Sequence, residues 1–342
     1  MGNFLRSGFH KSKFLNYRRR NDIRFVDNLT IHKKPLRFAK SPLKQRKIGI
    51  LKTSEKNLRS YIRREGKPDV IFHHGIFDYV YMSKYLSETF GIPVWYMENS
   101  PNLKPGHFPC ANPFDSIESR KIFVKNAQRR IAVTKAYVEK MEKLFSAPFE
   151  LIPNVLTDDF FVSDPKPRPS NPFTFSNVAI LDSRKRQDLI IDAFAEAFGG
   201  NEHFQLVIAG DGKLEAELRE HVKRLKLDSQ VQIAGFLNRD EVKKLLDSSH
   251  AFVLASKAET FGVVVIEAMA RGIPAISSDI DGTREIFNTI NGILFQEGNK
   301  VALVNALKEL VANYDIYDPK KIVEHVKSRF GPDAVKKGLY RE

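Results

Sequence analysis

An α/β chain built on doubly wound parallel sheets is what this sequence predicts, and three observations predict it. From residue 173 onward, short apolar runs alternate with longer amphipathic ones, the strand-then-helix order that a parallel sheet requires. Glycines follow several of the apolar runs, as in AGDG and AGF, where a strand has to turn sharply into a loop. The chain has 342 residues, enough for two domains with separate cores.

The C-terminal half, residues 173–330, is the clearer of the two. Strands are predicted over 173–181, 204–209, 231–234, 250–254, 275–278 and 292–295. Helices are predicted over 187–198, 214–225, 240–246 and 263–271, with two more over 301–313 and 319–329. This is a Rossmann-like pattern, so ligands are expected at the carboxyl ends of its strands. Ahead of it, residues 163–172 (SDPKPRPSNP) hold four prolines and read as a connection. The N-terminal half, residues 1–162, repeats the alternation less cleanly, with strands near 70–72, 94–96, 130–133 and 150–152. No internal repeat or low-complexity tract is present, and residues 331–342 read as a short closing helix.

Hydrophobic residues make up 42% of the chain and charged residues 28%, ordinary values for a soluble globular protein. One cysteine, Cys110, excludes an internal disulfide and points to a reducing compartment. With no apolar run near transmembrane length and no signal-peptide pattern, the expectation is a cytoplasmic protein, peripheral on the inner membrane face if bound to membrane at all. The net charge of +14 is unevenly spread: residues 1–70 hold 20 Lys or Arg against 5 Asp or Glu, leaving 35 against 36 in the rest. Arg18, Arg19, Arg20, Lys33, Lys34, Arg46, Lys47, Arg63 and Arg64 are interleaved with Phe4, Phe9, Phe14, Tyr17 and Phe25. That pattern suits an anionic membrane surface or a polyanion, and equally a solvated basic face. Nucleic acid is disfavoured, because the segment shows no recognition fold.

The stretch KAETFGVVVIEAMARGIPAISS, residues 257–278, carries the functional signal. Its apolar helix places Glu267 in the second turn and leaves Glu259 in the preceding loop. Phe261, Gly262 and Val263 bring backbone N–H groups to the helix start, where an anion such as a diphosphate is favoured. Glycine at 262 lets a ligand approach the backbone. A glutamate in an apolar helix is expensive unless something takes its charge or hydrogen bonds. Carboxylates on both sides of a phosphate site suit a ligand with hydroxyls at both ends, such as a nucleotide sugar.

Here the sequence resembles the retaining glycosyltransferases of family four, which have the two-domain GT-B fold, two Rossmann-like domains facing across a cleft. The resemblance covers about residues 68–340 and is concentrated in 173–295. It rests on VAILDSRKRQDLIIDAFAEAF (178–198), LVIAGDGKLEAEL (206–218), VQIAGFLNRDEV (231–242) and DIDGTREIF (279–287), together with the glutamate pair. In the N-terminal half it rests on PDVIFHHG (68–75), GIPVWYMENS (91–100), RRIAVTKAYVEKM (129–141) and LIPNVLTDDFF (151–161).

The resemblance implies roles for particular residues. Lys185 matches the phosphate-contacting lysine, with Arg184 and Arg186 as neighbours; where the family usually has an arginine five residues earlier, this chain has Ile180. Glu267 resembles the ribose-binding glutamate, and Glu259 the one that contacts the transferred sugar. Thr260, Phe261, Gly262 and Val263 belong to the donor loop. Gly210 and Gly212 permit close approach of a ligand, tight-turn geometry being an equal explanation, and Gly235 and Phe236 occupy the base-contacting loop. Asn99 stands where the family commonly has a sugar-contacting histidine. His73, His74 and His107 are nearby, and His74, at a strand end, is the acceptor-side candidate. Asp279 and Asp281 form an Asp-x-Asp, but two carboxylates alone are an incomplete site for a hard cation. No metal and no cofactor are therefore expected; the substrate would be a UDP- or GDP-sugar. The family's opening strand and Gly-Gly loop have no counterpart before residue 68, so the expectation is that the chain starts late in the fold, is a fragment, or builds that corner differently. The closing helix is expected to return to the N-terminal domain.

The expectation is thus a metal-independent, retaining transferase acting on a glycan or lipid-linked acceptor. Asn99 and the missing glycine loop motivate a second reading, a nucleotide-sugar-binding protein without transfer. The basic N-terminal segment motivates a third, a membrane- or polyanion-binding protein with the Rossmann-like domain as scaffold.

Overall fold

The computed structural model describes residues 22–26, 29–33, 43–75, 80–99, 117–165, 168 and 171–340, with side chains from Lys47 onward except those of Ile117 and Tyr340. The expectations for Phe4, Phe9, Phe14, Tyr17, Arg18, Arg19, Arg20, Lys34, His107 and Cys110 lie outside the described residues, as do the side chains of Phe25, Lys33 and Arg46. The chain divides into two compact units. One runs to Ala132 and includes Val138–Leu151; the other holds Val133–Tyr137 and Ile152–Glu342.

The N-terminal unit begins with an antiparallel pair, β1 (Asp22–Val26) and β2 (Leu29–Lys33), followed by helix α1 (Leu43–Glu65). Neither was expected from the sequence. A separate four-stranded parallel sheet has the order β3 (Ile71–His74), β4 (Val94–Glu98), β5 (Arg129–Ala132), β6 (Glu150–Leu151). The strands expected near 70–72 and 94–96 each extend two residues further, to His74 and Glu98. Helices α2 (Val80–Phe90), α3 (Ile117–Lys125) and α4 (Lys135–Phe145) lie between strands, as parallel pairing demands. Packing specifies the edge: the Arg129 guanidinium lies over Trp95 of β4 and meets the Glu150 carboxylate of β6 at 2.7 Å.

At the end of β3, His73 is buried and shares a hydrogen bond with Ser83 Oγ at 2.8 Å, while His74 Nδ1 is buried with no partner. Burial disfavours the charged imidazole and lowers each pKa from 6.5 to about 4.

The C-terminal unit is the predicted doubly wound sheet. Its strands are β7 (Phe173–Val178), β8 (Phe204–Ala209), β9 (Val231–Gly235), β10 (Ala251–Leu254), β11 (Ala275–Ser278) and β12 (Gly292–Phe295), all parallel, in the order β12-β11-β10-β7-β8-β9. Every residue of β10 and β11 is buried, as expected of strands covered on both faces. The helices are α5 (Gln187–Phe198), α6 (Glu215–Arg224), α7 (Arg239–Ser248), α8 (Val263–Met269), α9 (Lys300–Ala312), α10 (Pro319–Phe330) and α11 (Pro332–Tyr340). Helix α7 starts one residue before the expected 240 because Asn238 and Glu241 form a reciprocal capping box. Helix α8 is two residues shorter than the expected 263–271. Arg271 and Gly272 donate instead to carbonyls three residues back, at 2.9 Å each, and Gly272 takes φ +75°.

Residues after Ile152 join this unit through specific bonds: Leu156 N–H donates to Phe330 O and Val162 N–H to Ala270 O. The strand expected over 173–181 ends at Val178. Beyond it, Ala179 N–H still reaches Ala209 O, but Leu181 N–H bonds to Asp211 O in the loop after β8. This close approach requires glycine: a Cβ on Gly210 would stand 1.8 Å from Ala179 O, and one on Gly212 2.3 Å from Leu181 O.

Gly210→Ala and Gly212→Ala should therefore each cost on the order of 3 kcal/mol of stability. Gly235→Ala, at φ +71° with nothing within 4 Å of its Cβ, should cost only about 1. Urea denaturation of the three variants checks this, and equal losses would contradict the steric assignment. The histidines give a pH prediction. Neutral when folded and partly charged when unfolded, they make the unfolded chain bind more protons between pH 4 and 6.5. Stability should fall by a few kcal/mol, roughly, as pH drops through that window, and His73→Gln/His74→Gln should flatten the slope in denaturation at several pH values.

Candidate functional site

Strand order in the C-terminal unit reverses between β7 and β10, which pair directly while the strands that follow them, β8 and β11, lie on opposite sides of the pair. At such a switch point the loops beyond the carboxyl ends diverge and leave a crevice. The loop after β7 carries Arg184 and Lys185, the loop after β10 carries Glu259 to Gly262, and the loop after β11 carries Asp279 to Thr283. The structure thus brings together residues that are 74 positions apart: Lys185 Nζ and Glu259 Oε1 form an ion pair, with side chains 18% and 15% exposed.

Each loop is shaped by its own residues. Asp182 Oδ1 accepts the Arg184 N–H at 2.9 Å and Oδ2 accepts its guanidinium at 2.6 Å, which builds the turn that presents Lys185. Partial burial works to raise the Asp182 pKa, and the Arg184 hydrogen bonds outweigh it, so the carboxyl sits below its ordinary value. Arg186 takes a left-handed conformation, φ +52°, as the chain enters α5, and its side chain pairs with Asp188. Arg184 O accepts Lys257 N–H at 2.8 Å and ties the β7 loop to the β10 loop. Ser256, fully buried, donates to Glu259 Oε1 at 2.8 Å. The β11 loop closes on the same place, since a Cβ on Gly282 would stand 2.1 Å from Glu259 O.

Glu267 is the fifth residue of α8 and 2% exposed, and α8 packs on β10, β11 and α10. Gly262 takes φ +67° at the helix start, with the Thr283 methyl 2.9 Å from where its Cβ would be. Thr260 is buried, Val263 half-buried, and the Phe261 ring packs edge-on against Phe330 at 5.3 Å. The Phe261 side chain is therefore a core anchor, which leaves only its backbone for ligand contact. Helix α8 has only seven residues, too few for its dipole to make an anion site by itself.

Gly210 and Gly212 are glycines because the β8 loop packs on the β7 loop, so the tight-turn explanation is the one the geometry supports. Gly235 O accepts the Gly210 N–H at 2.7 Å, and the next residue, Phe236, is 71% exposed. Ile180, in the family's arginine position, is 50% exposed. Asp279 and Asp281 share the guanidinium of Arg284, at 2.6 and 3.3 Å, and no third potential ligand joins them among the described residues.

In the N-terminal unit, His74 and Asn99 lie at the carboxyl ends of the paired strands β3 and β4. Between them is a residue the sequence reading did not single out: Glu98 is fully buried, takes a hydrogen bond from Tyr96 Oη, and accepts the Asn99 N–H at 2.9 Å. Ser256 was also missed, although S-x-x-E before an apolar run is a readable pattern. Gly282, inside the quoted DIDGTREIF, gave no signal that it packs against Glu259.

Relatives agree with this architecture. The chain is 26% identical over 164 residues to the gpi3 subunit of phosphatidylinositol N-acetylglucosaminyltransferase from Schizosaccharomyces pombe, covering 48% of this chain and 36% of that protein. It is 30% identical over 259 residues to an uncharacterized glycosyltransferase of Methanocaldococcus jannaschii, covering 69% and 62%. The chain thus spans less than two thirds of these relatives' lengths. Among solved structures it resembles Anabaena HepE in complex with UDP, with a TM-score of 0.70 at 20% identity over 86% of this chain and 83% of that one, a likeness that shows the GT-B fold. Among the described residues no helix is long and apolar enough to cross a membrane. Residues 159–329, half of the chain and the part that builds the switch-point crevice, match the family described as glycosyl transferases group 1, and the chain belongs to that family.

Proposed function

We infer that the chain is a metal-independent, retaining glycosyltransferase that moves a sugar from a nucleoside-diphosphate donor to a glycan or lipid-linked acceptor. The observation that carries this reading is the Lys185–Glu259 pair at the switch point, held by Ser256, with a second glutamate, Glu267, buried in the helix that follows. A nucleotide sugar meets each group with its complement. Its diphosphate takes Lys185, its ribose diol takes Glu267, and its sugar hydroxyls take Glu259, which stays anchored by Ser256 once Lys185 turns to phosphate. Related proteins support this choice of ligand: HepE is seen with UDP, and the Schizosaccharomyces pombe relative is named as a phosphatidylinositol N-acetylglucosaminyltransferase subunit.

In the reaction, the bond between the anomeric carbon and the β-phosphate oxygen breaks while the acceptor oxygen bonds to the same carbon and gives up its proton. Negative charge grows on the departing phosphate and positive charge on the sugar. Lys185 meets the first, in a site where partial burial strengthens the interaction, and so takes the place of a divalent cation. The backbone of the Thr260–Val263 loop holds the diphosphate beside it. Phe236 offers an exposed ring after β9, where the base would lie, and Arg184 lends a second positive charge above the crevice. Within the N-terminal unit, His74 and Asn99 are the groups proposed to meet acceptor hydroxyls, and the acceptor's proton passes to the departing phosphate oxygen.

The test is release of nucleoside diphosphate from UDP- and GDP-sugars in the presence of glycan and lipid-linked acceptors, with the product's anomeric configuration read by NMR. Activity is expected to persist in EDTA; loss on chelation with rescue by Mg²⁺ or Mn²⁺, or an inverted product, would overturn the mechanism. Lys185→Ala should lower kcat together with kcat/KM, because its charge matters most as the phosphate leaves, whereas a change confined to KM would limit it to ground-state binding. Glu267→Gln should weaken donor and free nucleoside diphosphate alike, by about tenfold for one charge-assisted pair made neutral. Glu259→Gln and Ser256→Ala should instead slow transfer and leave nucleoside diphosphate affinity nearly intact in calorimetry, and an equal loss of both would place Glu259 at the wrong end of the ligand.

A further inference from the structure

The basic excess of residues 1–70 takes a specific form in α1. Leu43–Glu65 holds eight Lys or Arg against Glu55 and Glu65. Up to its last turn, where Arg64 and Glu65 are also exposed, the exposed positions recur as Ile48, Lys52, Lys56, Arg59 and Arg63, at spacings of four, four, three and four. At about 100° per residue these five fall within an arc of about 80°, and over fifteen residues they form a straight ridge about 22 Å long. The opposite side is occupied, since Ser54 bonds to Met82 and Lys47 lies over Tyr81, both on α2, and at the ridge's flank Glu55 bonds to Tyr85 of the same helix.

On the ridge, Lys52, Lys56 and Arg63 form no ion pair among the described residues, and Arg59 is shared between Glu55 and the Phe90 ring. No carboxylate lies on the arc. Glu55 sits at its flank, fixed by Tyr85 and Arg59, and Glu65 is past its end. Three unpaired cations in a row are self-repelling in the folded protein and gain most from a planar anionic partner.

We propose that this ridge docks the protein on an anionic lipid bilayer. Its shape favours a membrane over a nucleic acid. It carries no aromatic ring to stack on bases and no Asn or Gln to read base edges, and its N-terminal end is Ile48, an apolar side chain 45% exposed that suits the headgroup boundary. The ridge is otherwise too polar to insert, so attachment is electrostatic, reversible and parallel to the surface. It stands apart from the donor-site reading, since no ridge residue belongs to the crevice of the C-terminal unit.

The full chain should co-sediment with vesicles of 30% phosphatidylglycerol in phosphatidylcholine and not with phosphatidylcholine alone, and binding should fall steeply between 50 and 300 mM NaCl. The exposed triple variant Lys52→Gln/Lys56→Gln/Arg63→Gln should lose at least about tenfold in partitioning while its circular dichroism and UDP affinity match the parent. A second variant, Arg18→Gln/Arg19→Gln/Arg20→Gln, separates the ridge from the preceding basic segment. Wild-type partitioning by the ridge variant, with loss only in the second, would overturn the proposal. So would failure of the parent to bind anionic vesicles, or binding to a single-stranded RNA more tightly than to them at equal salt.

Discussion

The ion pair between Lys185 and Glu259 joins two loops that share no sequence neighbourhood, and much of the C-terminal unit follows from holding it. Neither partner is fully withdrawn from water, yet both are shielded enough that losing one would leave a poorly solvated charge beside the other's empty place. The pair therefore demands that the loops after β7 and β10 stay in register. Three features supply that: the Asp182 turn, the backbone bond between Lys257 and Arg184, and the tight seating of Gly282 on Glu259. The arrangement also keeps the site closer to neutral before a ligand arrives. On the proposed reading, a diphosphate that takes Lys185 would release Glu259 to bind hydroxyls, and recognition of phosphate and of sugar would be coupled through a single contact.

Glycine placement shows how the sheet and the loops constrain each other. In the loop after β8, the glycines at 210 and 212 look in the sequence like ligand-approach residues, whereas the structure shows carbonyls of the neighbouring β7 loop in the space their side chains would need. Gly292 meets the same constraint, with Ala275 O 1.9 Å from its would-be Cβ. These residues serve the ligand at one remove: they let adjacent strand ends sit close enough for their loops to share one crevice.

The C-terminal unit was legible because its strands and helices bury one-sided patterns that periodicity reports directly, and its element order matched throughout. What was not legible depended on contacts remote in sequence. The end of α8 is set by i→i−3 bonds around Gly272, the end of β7 by a bond from Leu181 to Asp211, and the partner of Lys185 by the strand order. Helix α1 escaped for a different reason. Most of its inward residues are only half-buried, and its lysines and arginines fall on several sides, so no clean apolar stripe marks it as a helix. Glu98 was hidden because a strand-end glutamate reads as exposed until its hydrogen bonds to Tyr96 and Asn99 are seen.

The two charged features of the molecule respond to different physics. Salt at physiological strength screens interactions beyond about 8 Å in solvent, and the α1 ridge, with its exposed side chains, lies wholly within reach of that screening. The Lys185–Glu259 pair is in contact and mostly shielded, so the same salt changes it little. With the +15 balance confined to residues 1–70 and the rest at −1, long-range attraction to an anionic surface is a property of the N-terminal segment alone. The donor recognition proposed for one cation and two carboxylates around a crevice would thereby be electrostatically independent of where the protein is held. A chain so divided can change its surface affinity by altering exposed ridge residues without disturbing the chemistry of the crevice.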